Sequence, residues 1–599
     1  MPETFLPPAA RTAGRVVVWV LGLGLLLLVF AIGWLGVRGY LAYWHLSAAQ
    51  QKAPAIAKDI DNLSAARAAL DDLAEDTSNA RSLTSDPIWQ GAEGVPWIGP
   101  QLAAVADVAE AVDEVVDGTA RPIASVAGGF GVTAFVPVDG RIDTAVFSAL
   151  ADPAAKAAKV AASARDDVAS IDRTPLVTPI ADAVDKLGGL LSEVASGTDA
   201  LARASALLPS MLGADGPRTH LLLVQNNSEW RTLGGIVGSM TPIVAKDGAL
   251  ALGEQIQARG IPSYPDSVLD LGEYRTIYNA KPGRFLQNIT QVPDFRLTSQ
   301  LATEFAKRNG VTADGVMSID PVALSYLLKA TGPVTLPTGD VLTSENAAGF
   351  LLNEVYIRYP DADQQDLVFS AAAGAVFTAL TKGDVNPGAL ITALGRAGSE
   401  HRLYLWSAKK ADETVLAGTT LAGEPVQSTA DTARLGVYFN DGTGSKMDYY
   451  VTPDVQLSWS GCGTGATPRT LSLQVTLTNT VPADAATSLP EYITGSGVYG
   501  VPEGIARVVG EVYLPAGFAI GPSTTSTGAG FGGGMIDGRQ VLSYSFDLKP
   551  GETESVSIDL VADTDIRDAE AWVTPTADAS RSPIVDASCE PAGSDLTLR

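Results

Sequence analysis

The densest chemistry in the sequence lies in Gln225-Asn226-Asn227-Ser228-Glu229-Trp230-Arg231-Thr232-Leu233-Gly234-Gly235-Ile236-Val237-Gly238-Ser239. The run directly follows His220–Val224, a short apolar segment that predicts a buried strand. Ligands in open α/β sheets gather beyond strand ends, so a polar strand-to-strand connection there is a candidate binding loop. Arg231 would hold a phosphate or carboxylate through two parallel N–H donors. Gly234 and Gly235 would let a ligand approach the backbone closely. Asn226, Asn227 and Glu229 would supply the remaining polar contacts. A purely structural connection needs the same residue types. There the asparagines satisfy turn backbone, and Arg231 pairs with Glu229 or a distant acid.

Other constellations are thinner. Arg275, Arg284 and Arg296 sit in polar runs that either line the same cleft as anion ligands or form solvated loops. Asp320 precedes Pro321, which predicts a helix N-cap with proline in the first turn. Asp361, Asp363 and Asp366 lack the glycine and distal glutamate of an EF-hand loop and suit a helix N-terminus. Gly528–Gly533 matches a glycine-rich nucleotide pattern, but no helix is expected after it, and the dinucleotide fingerprint needs strand, turn and helix. His45, His220 and His401 are widely separated, and no HExxH, GxSxG or cysteine-nucleophile motif occurs. No catalytic residue, metal site or cofactor is therefore assigned. Cys462 and Cys589, the only cysteines, bracket a β-rich region and would pair in an oxidising compartment; two buried free thiols are the alternative.

The elements that must position these residues change character along the chain. Val16 to Val37 carries no charge. At 1.5 Å per residue it reaches about 33 Å, enough to cross a bilayer core. Trp19, Trp34, Tyr40, Tyr43 and Trp44 form the matching aromatic belt. Basic residues flank both ends, so orientation rests on the short N-terminal tail, the acidic C-terminal bulk and the cysteine pair. These favour an N-terminus inside the cell and the bulk outside. Beyond the span, Ile56, Ile60, Leu63, Leu70 and Leu73, then Leu102, Val105, Val108, Val112 and Val115, recur at helical spacing. Ser85–Pro100, with three prolines, breaks that pattern. Further helices are expected over Pro153–Ser170 and Leu176–Leu208. Strands mix with helices from residue 213, including strands at Ile236–Val244 and Ala249–Ile256. Short β-branched strands dominate from Tyr449 onward.

The 599 residues carry a net charge of −26, with 46% hydrophobic and 18% charged residues. That acidity disfavours nucleic acid as a partner, and the apolar content excludes global disorder.

LLLVQNNSEWRTLGGIVGSM, DGVMSIDPVALSYLLKATGPV, ENAAGFLLNEVY and LGVYFNDGTGSKMDYYV resemble the bacterial family known as domain of unknown function 4012. That resemblance covers most of the chain after residue 210. It implies a membrane-anchored envelope protein, mostly of actinobacteria, and implies no particular activity. The order of strand, polar glycine-rich loop with Arg231, hairpin and Asp320-headed helix is also similar to the LytR-CpsA-Psr family. Those anchored enzymes transfer lipid-linked glycopolymers using arginines, aspartates and a divalent metal. Here Thr232-Leu233-Gly234-Gly235 stands where that family carries an Arg-x-Asp-Thr pattern.

The expectation is a multi-domain α+β protein: tail 1–15, transmembrane helix 16–37, Ala-rich helical region 47–212, central α/β domain 213–440 and antiparallel β-sandwich 441–599. The expected role is a non-catalytic, extracytoplasmic scaffold or binding module for wall or capsular polymer. A divergent phosphotransferase using magnesium is the alternative.

Overall fold

The computed structural model describes residues 8–58, 63–127, 137–138, 140–382, 385–462, 469–562 and 566–589. Ile60 of the first expected stripe lies outside them. Helices and several sheets are mixed, and no described sheet closes into a barrel. The chain forms two compact units, Met1–Phe135 with Asp143–Pro209, and Val136–Ile142 with Ser210–Arg599.

In the first unit, α1 (Pro8–Lys58) contains the apolar stretch Val18–Lys52, whose most hydrophobic window has mean hydropathy 2.5 and no burial against the rest of the protein. It is long and apolar enough to span a membrane. Next come α2 (Leu63–Thr84), α3 (Pro87–Glu93), α4 (Gly99–Val115), a π-turn, α5 (Arg121–Ala127), α6 (Thr144–Ala169) and α7 (Thr178–Met211). The α2 and α4 helices are tied by Arg81 to Glu110 at 2.5 Å and to Asp113 at 3.3 Å. Ala154, Ala157, Ala161 and Ala164 recur every three or four residues along α6 and are all buried. Small side chains on one stripe let neighbouring helices approach closely. This helix starts nine residues before the expected Pro153, because Asp143 caps it and Val146, Phe147 and Leu150 bury its first turns. That packing outweighs the backbone hydrogen bond an interior proline loses.

In the second unit the first sheet has the order β3-β2-β1-β5-β8, with β4 also on β2. Its strands are β1 (Arg218–Arg231), β2 (Gly234–Lys246), β3 (Ala249–Leu252), β4 (Ile256–Gln257), β5 (Gly315–Ile319) and β8 (Leu403–Ser407). The β1 and β5 strands are parallel, and the other neighbours antiparallel. A ribbon pairs β6 (Val334–Thr335) with β7 (Val341–Leu342). The second sheet, β10-β11-β16-β13, uses Val451–Ser460, Thr470–Asn479, Thr553–Ala562 and Phe518–Thr525 for β10, β11, β16 and β13. The third, β14-β15-β12-β9-β17-β18, uses Gly532–Ile536, Arg539–Leu548, Ala506–Tyr513, Thr432–Asp441, Asp568–Val573 and Ile584–Ser588 for β14, β15, β12, β9, β17 and β18. Leu471, Leu473, Val556 and Ile558 of the second sheet share one core with Leu435, Val437, Val508 and Phe546 of the third. Their alternation along each strand is the period-two signature of half-buried sheets.

Two expectations need revision. Gln225–Arg231 is not a connection: it continues β1, and only Thr232 and Leu233 turn the chain. Irregular pairing with β2 after Val224 and after Asn226 lets polar side chains reach partners on both sides. The expected boundary at residue 440 falls at the end of β9, which belongs to the third sheet and pairs with β12 and β17.

Cys462 and Cys589 form a disulfide, with Cα atoms 5.3 Å apart across 127 residues of sequence. The glycine-rich Gly528–Gly533 leads into β14 rather than a helix. Asp361 caps the helix Ala362–Thr381, while Asp363 and Asp366 pair with Arg259.

Candidate functional site

The last five residues of β1 are buried on both faces. They lie between the first sheet and the start of the third: Asp448 accepts from the Trp230 amide at 2.7 Å, and Asn440 accepts from the Thr232 amide at 3.2 Å. Thr574 closes the seam by donating to the Thr232 carbonyl at 3.0 Å. Seven of the nine predicted ligand residues gather here, in two adjoining networks.

In the first, Glu229 accepts from Arg231 Nη2 at 2.9 Å and from Lys446 Nζ. Arg231 also donates to Asn288 Oδ1 at 3.0 and 2.9 Å and to the Trp230 carbonyl at 2.7 Å. Its guanidinium is thus committed to protein partners. Gly234 and Gly235 serve the same packing. A Cβ on Gly235 would lie 2.3 Å from the Asn226 carbonyl group, and the Gly235 amide donates to Gln225 Oε1 at 2.8 Å. The close approach that glycine permits is made by the protein's own strand.

In the second network, Asn227 donates to Asp320 Oδ2 at 3.0 Å and to the Pro575 carbonyl at 3.0 Å. Asp320 caps the helix Pro321–Thr331 through Ala323 at 2.7 Å and accepts from Arg402 Nη1 at 2.8 Å. Arg402 goes on to the Thr576 carbonyl at 2.8 Å. Asn226 donates to the Tyr356 hydroxyl. Arg275 and Arg296 stand apart. Arg275 is exposed and 3.2 Å from Asp266, and Arg296 is exposed on the first turn of the helix Phe295–Arg308. Arg284 donates to the Tyr264 carbonyl at 2.8 Å.

Burial alone would raise the Glu229 carboxyl, but Lys446 and Arg231 overcome it and hold the group below the usual range. Burial pushes Asp441 up to about 6, with the Glu229 charge adding to the effect. Asp448 is raised well above its ordinary value by burial and then by Asp441. Glu511 on β12, buried with only Asn440 donating to it at 3.0 Å, is pushed up to about 8. Lys446 is raised despite its burial, because Glu229 stabilises its charge. Crowding of Glu229, Asp441 and Asp448 thus favours the neutral form of Asp448, while Arg231 and Lys446 favour the charged form of Glu229.

Lys446, Asp441, Asp448, Asn440, Glu511 and Arg402 were not assigned from the sequence. Asp441, Lys446 and Asp448 all fall in LGVYFNDGTGSKMDYYV, so its concentration of charge was the available signal. Arg402 and Glu511 read as ordinary strand residues.

The first network reaches the surface through aromatic rings. Lys446 Nζ lies 5.3 Å above the Tyr492 ring, and Tyr492 stacks on Tyr356 at 5.4 Å. Tyr499 packs over Gly444, where a Cβ would come within 2.5 Å of its ring. Tyr492, Val498 and Tyr499 are nevertheless 46%, 75% and 66% exposed. Together they form an apolar shelf above the charged seam. A depression of about 230 Å³ lined by Asp454, Thr576 and Arg581, and one of about 370 Å³ lined by Gln300, Glu304 and Lys307, contain none of the predicted ligand residues. Among the described residues no cluster of three or more His, Cys, Asp or Glu side chains is arranged to hold a metal ion.

Residues 215–356 match the family model DUF4012, a protein of unknown function. The match takes in β1, the Thr232–Leu233 turn and Asp320, while Lys446, Asp448 and Glu511 lie beyond it. The solved X-ray structure of the Lin1025 protein from Listeria innocua is similar at 11% identity, over 37% of this chain and 85% of that one. Its TM-score of 0.20 is too slight to bear on the fold. No curated protein matches the chain.

Proposed function

We propose that the protein is a single-pass, membrane-anchored scaffold of the cell envelope that binds wall or capsular polymer outside the cytoplasmic membrane without transforming it. The observation that carries this reading is the exposed shelf of Tyr492, Val498 and Tyr499. Exposed rings held rigid from below suit the C–H faces of sugar rings, which the negative face of an aromatic ring attracts. Two further facts support it. The apolar stretch of α1 is unburied and of spanning length, and the Cys462–Cys589 disulfide suits an oxidising compartment. The buried ion pairs beneath the shelf act as its foundation, and their charges are already compensated.

The test is binding of purified wall and capsular polysaccharides to the full-length protein in nanodiscs by biolayer interferometry. Tyr499→Ala with Val498→Ser should weaken binding at least about tenfold, or about 1.4 kcal/mol, with an unchanged melting profile. Equal binding by the variant refutes the shelf, and no polymer binding by the intact protein refutes the reading.

A further inference from the structure

The turn between α3 and α4 contains the most exposed tryptophan of the described residues. Trp97 is 90% exposed, and Val95 and Ile98 beside it are exposed too. The turn is not loose. The Gly99 amide donates to the Val95 carbonyl at 2.8 Å, and the Val95 amide to the Ala92 carbonyl at 3.0 Å. No Cβ fits on Gly99, where it would meet the Glu93 carbonyl oxygen at 1.9 Å. Trp97 itself adopts φ 71°, a left-handed conformation costly for a bulky side chain. The same segment buries its other tryptophan: Trp89 is enclosed and donates to the Leu102 carbonyl at 3.1 Å. One ring is packed inward while the other is held outward.

The place of this turn in its unit explains the difference. Arg38 is the first charge after the uncharged run Val16–Val37. It pairs with Asp86 at 2.9 Å and donates to the Leu83 carbonyl at 2.8 Å. Asp86 in turn caps α3 through the Ile88 amide at 2.9 Å. The Trp89 ring lies 3.7 Å from the Cβ position of Gly39. The end of α2 and the α3 helix therefore flank Arg38 and Gly39, next to the aromatic residues that follow the span. Of these, Tyr40, Tyr43 and Trp44 also point away from the protein. The exposed apolar surface continues to Val177 on the turn before α7, joined to α4 by Gln101, which donates to the Pro175 carbonyl at 2.6 Å and accepts from the Val177 amide at 3.0 Å.

We infer that the Val95–Ile98 turn is a second membrane contact, with Trp97 and Ile98 seated in the headgroup region beside the point where α1 leaves the bilayer. The inference rests on the reading of α1 as a membrane anchor. Tryptophan is favoured at that level because its apolar body and N–H donor match a half-wet environment. A lipid surface is the one occupant continuous with the span. Two contacts would fix the angle at which this helical unit leaves the membrane.

The test uses the full chain with a nitroxide on Ile98→Cys, reconstituted in nanodiscs of phosphatidylcholine and phosphatidylglycerol. Both native cysteines are in the disulfide, so the introduced thiol is labelled selectively. The ratio of oxygen to aqueous nickel-chelate accessibility should exceed severalfold that of a label on Glu193→Cys, an exposed position of α7, and should fall when Trp97→Ser is added. A water-exposed label at 98 overturns the inference. A third label on Leu26→Cys separates the two failures. If it lies in hydrocarbon while position 98 lies in water, only the second contact is lost. If position 26 is itself in water, the anchor reading falls and the inference with it.

Discussion

Replacing Glu511 by glutamine removes one titrating proton from the core and should flatten the protein's stability against pH. Glu511 is buried on β12 and accepts one hydrogen bond, from Asn440. Burial raises its carboxyl from the usual 4.5 to about 8, with the Asn440 bond working against the rise. Between those values the unfolded chain has released the proton and the folded chain still holds it. The unfolded state then binds fewer protons, so stability falls as pH rises. The stabilising share is complete below the unfolded value and is lost by the folded one. Each pH unit in that window costs about 1.4 kcal/mol, or about 5 kcal/mol across it, a large fraction of a typical stability of about 5–15 kcal/mol. Glutamine keeps the acceptor for Asn440 and carries no proton to lose. Relative to the wild type, Glu511→Gln should therefore gain about 3 kcal/mol between pH 5 and pH 7. Denaturant unfolding of the full chain in micelles, followed by tryptophan fluorescence at several pH values, reads this difference directly. Taking variant minus wild type cancels the other buried carboxylates. Parallel curves for the two proteins would mean that Glu511 is hydrated or charged in the fold, and the reasoning would fail.

Three further outcomes follow from the same geometry. Lys446→Met leaves Glu229 with Arg231 as its remaining cationic partner and should cost about 3–5 kcal/mol, much of it recovered in Glu229→Gln/Lys446→Met; a double variant no more stable than the single one contradicts the pairing. Replacing both Cys462 and Cys589 by serine opens a loop of 127 residues and should lower unfolding free energy by about 5 kcal/mol in the chain-entropy model, read as a lower denaturation midpoint; an unchanged midpoint opposes it. Calorimetric titration of the full chain with a polyprenyl-pyrophosphate analogue and magnesium should give no saturable heat, since Arg231 is already engaged; saturable binding abolished by Arg231→Ala would instead support the phosphotransferase alternative.

Some features of the protein are local, and these were legible in the sequence. Twenty-two uncharged residues from Val16 to Val37 suffice to specify an apolar helix of spanning length. The alanine-rich helical stretch Pro153–Ser170, the Asp320–Pro321 helix start and the alternation along β11 each depend on neighbours within a turn or a pleat. Two cysteines admit one intramolecular pairing. The fate of the Gln225–Ser239 run was not local. Its residue types suit a ligand loop and a buried seam equally well, and the choice depends on whether water or protein covers them. The tertiary fold brings Lys446 to Glu229, Asn440 to Thr232 and Pro575 to Asn227, all more than 200 residues apart. It also buries Glu511, an unremarkable strand residue in sequence, until its proton is held to about 8. Periodicity encodes which face of an element is apolar. Burial and electrostatic partnership belong to the pairing of distant strands, and they place seven of the nine predicted ligand residues in a seam between sheets.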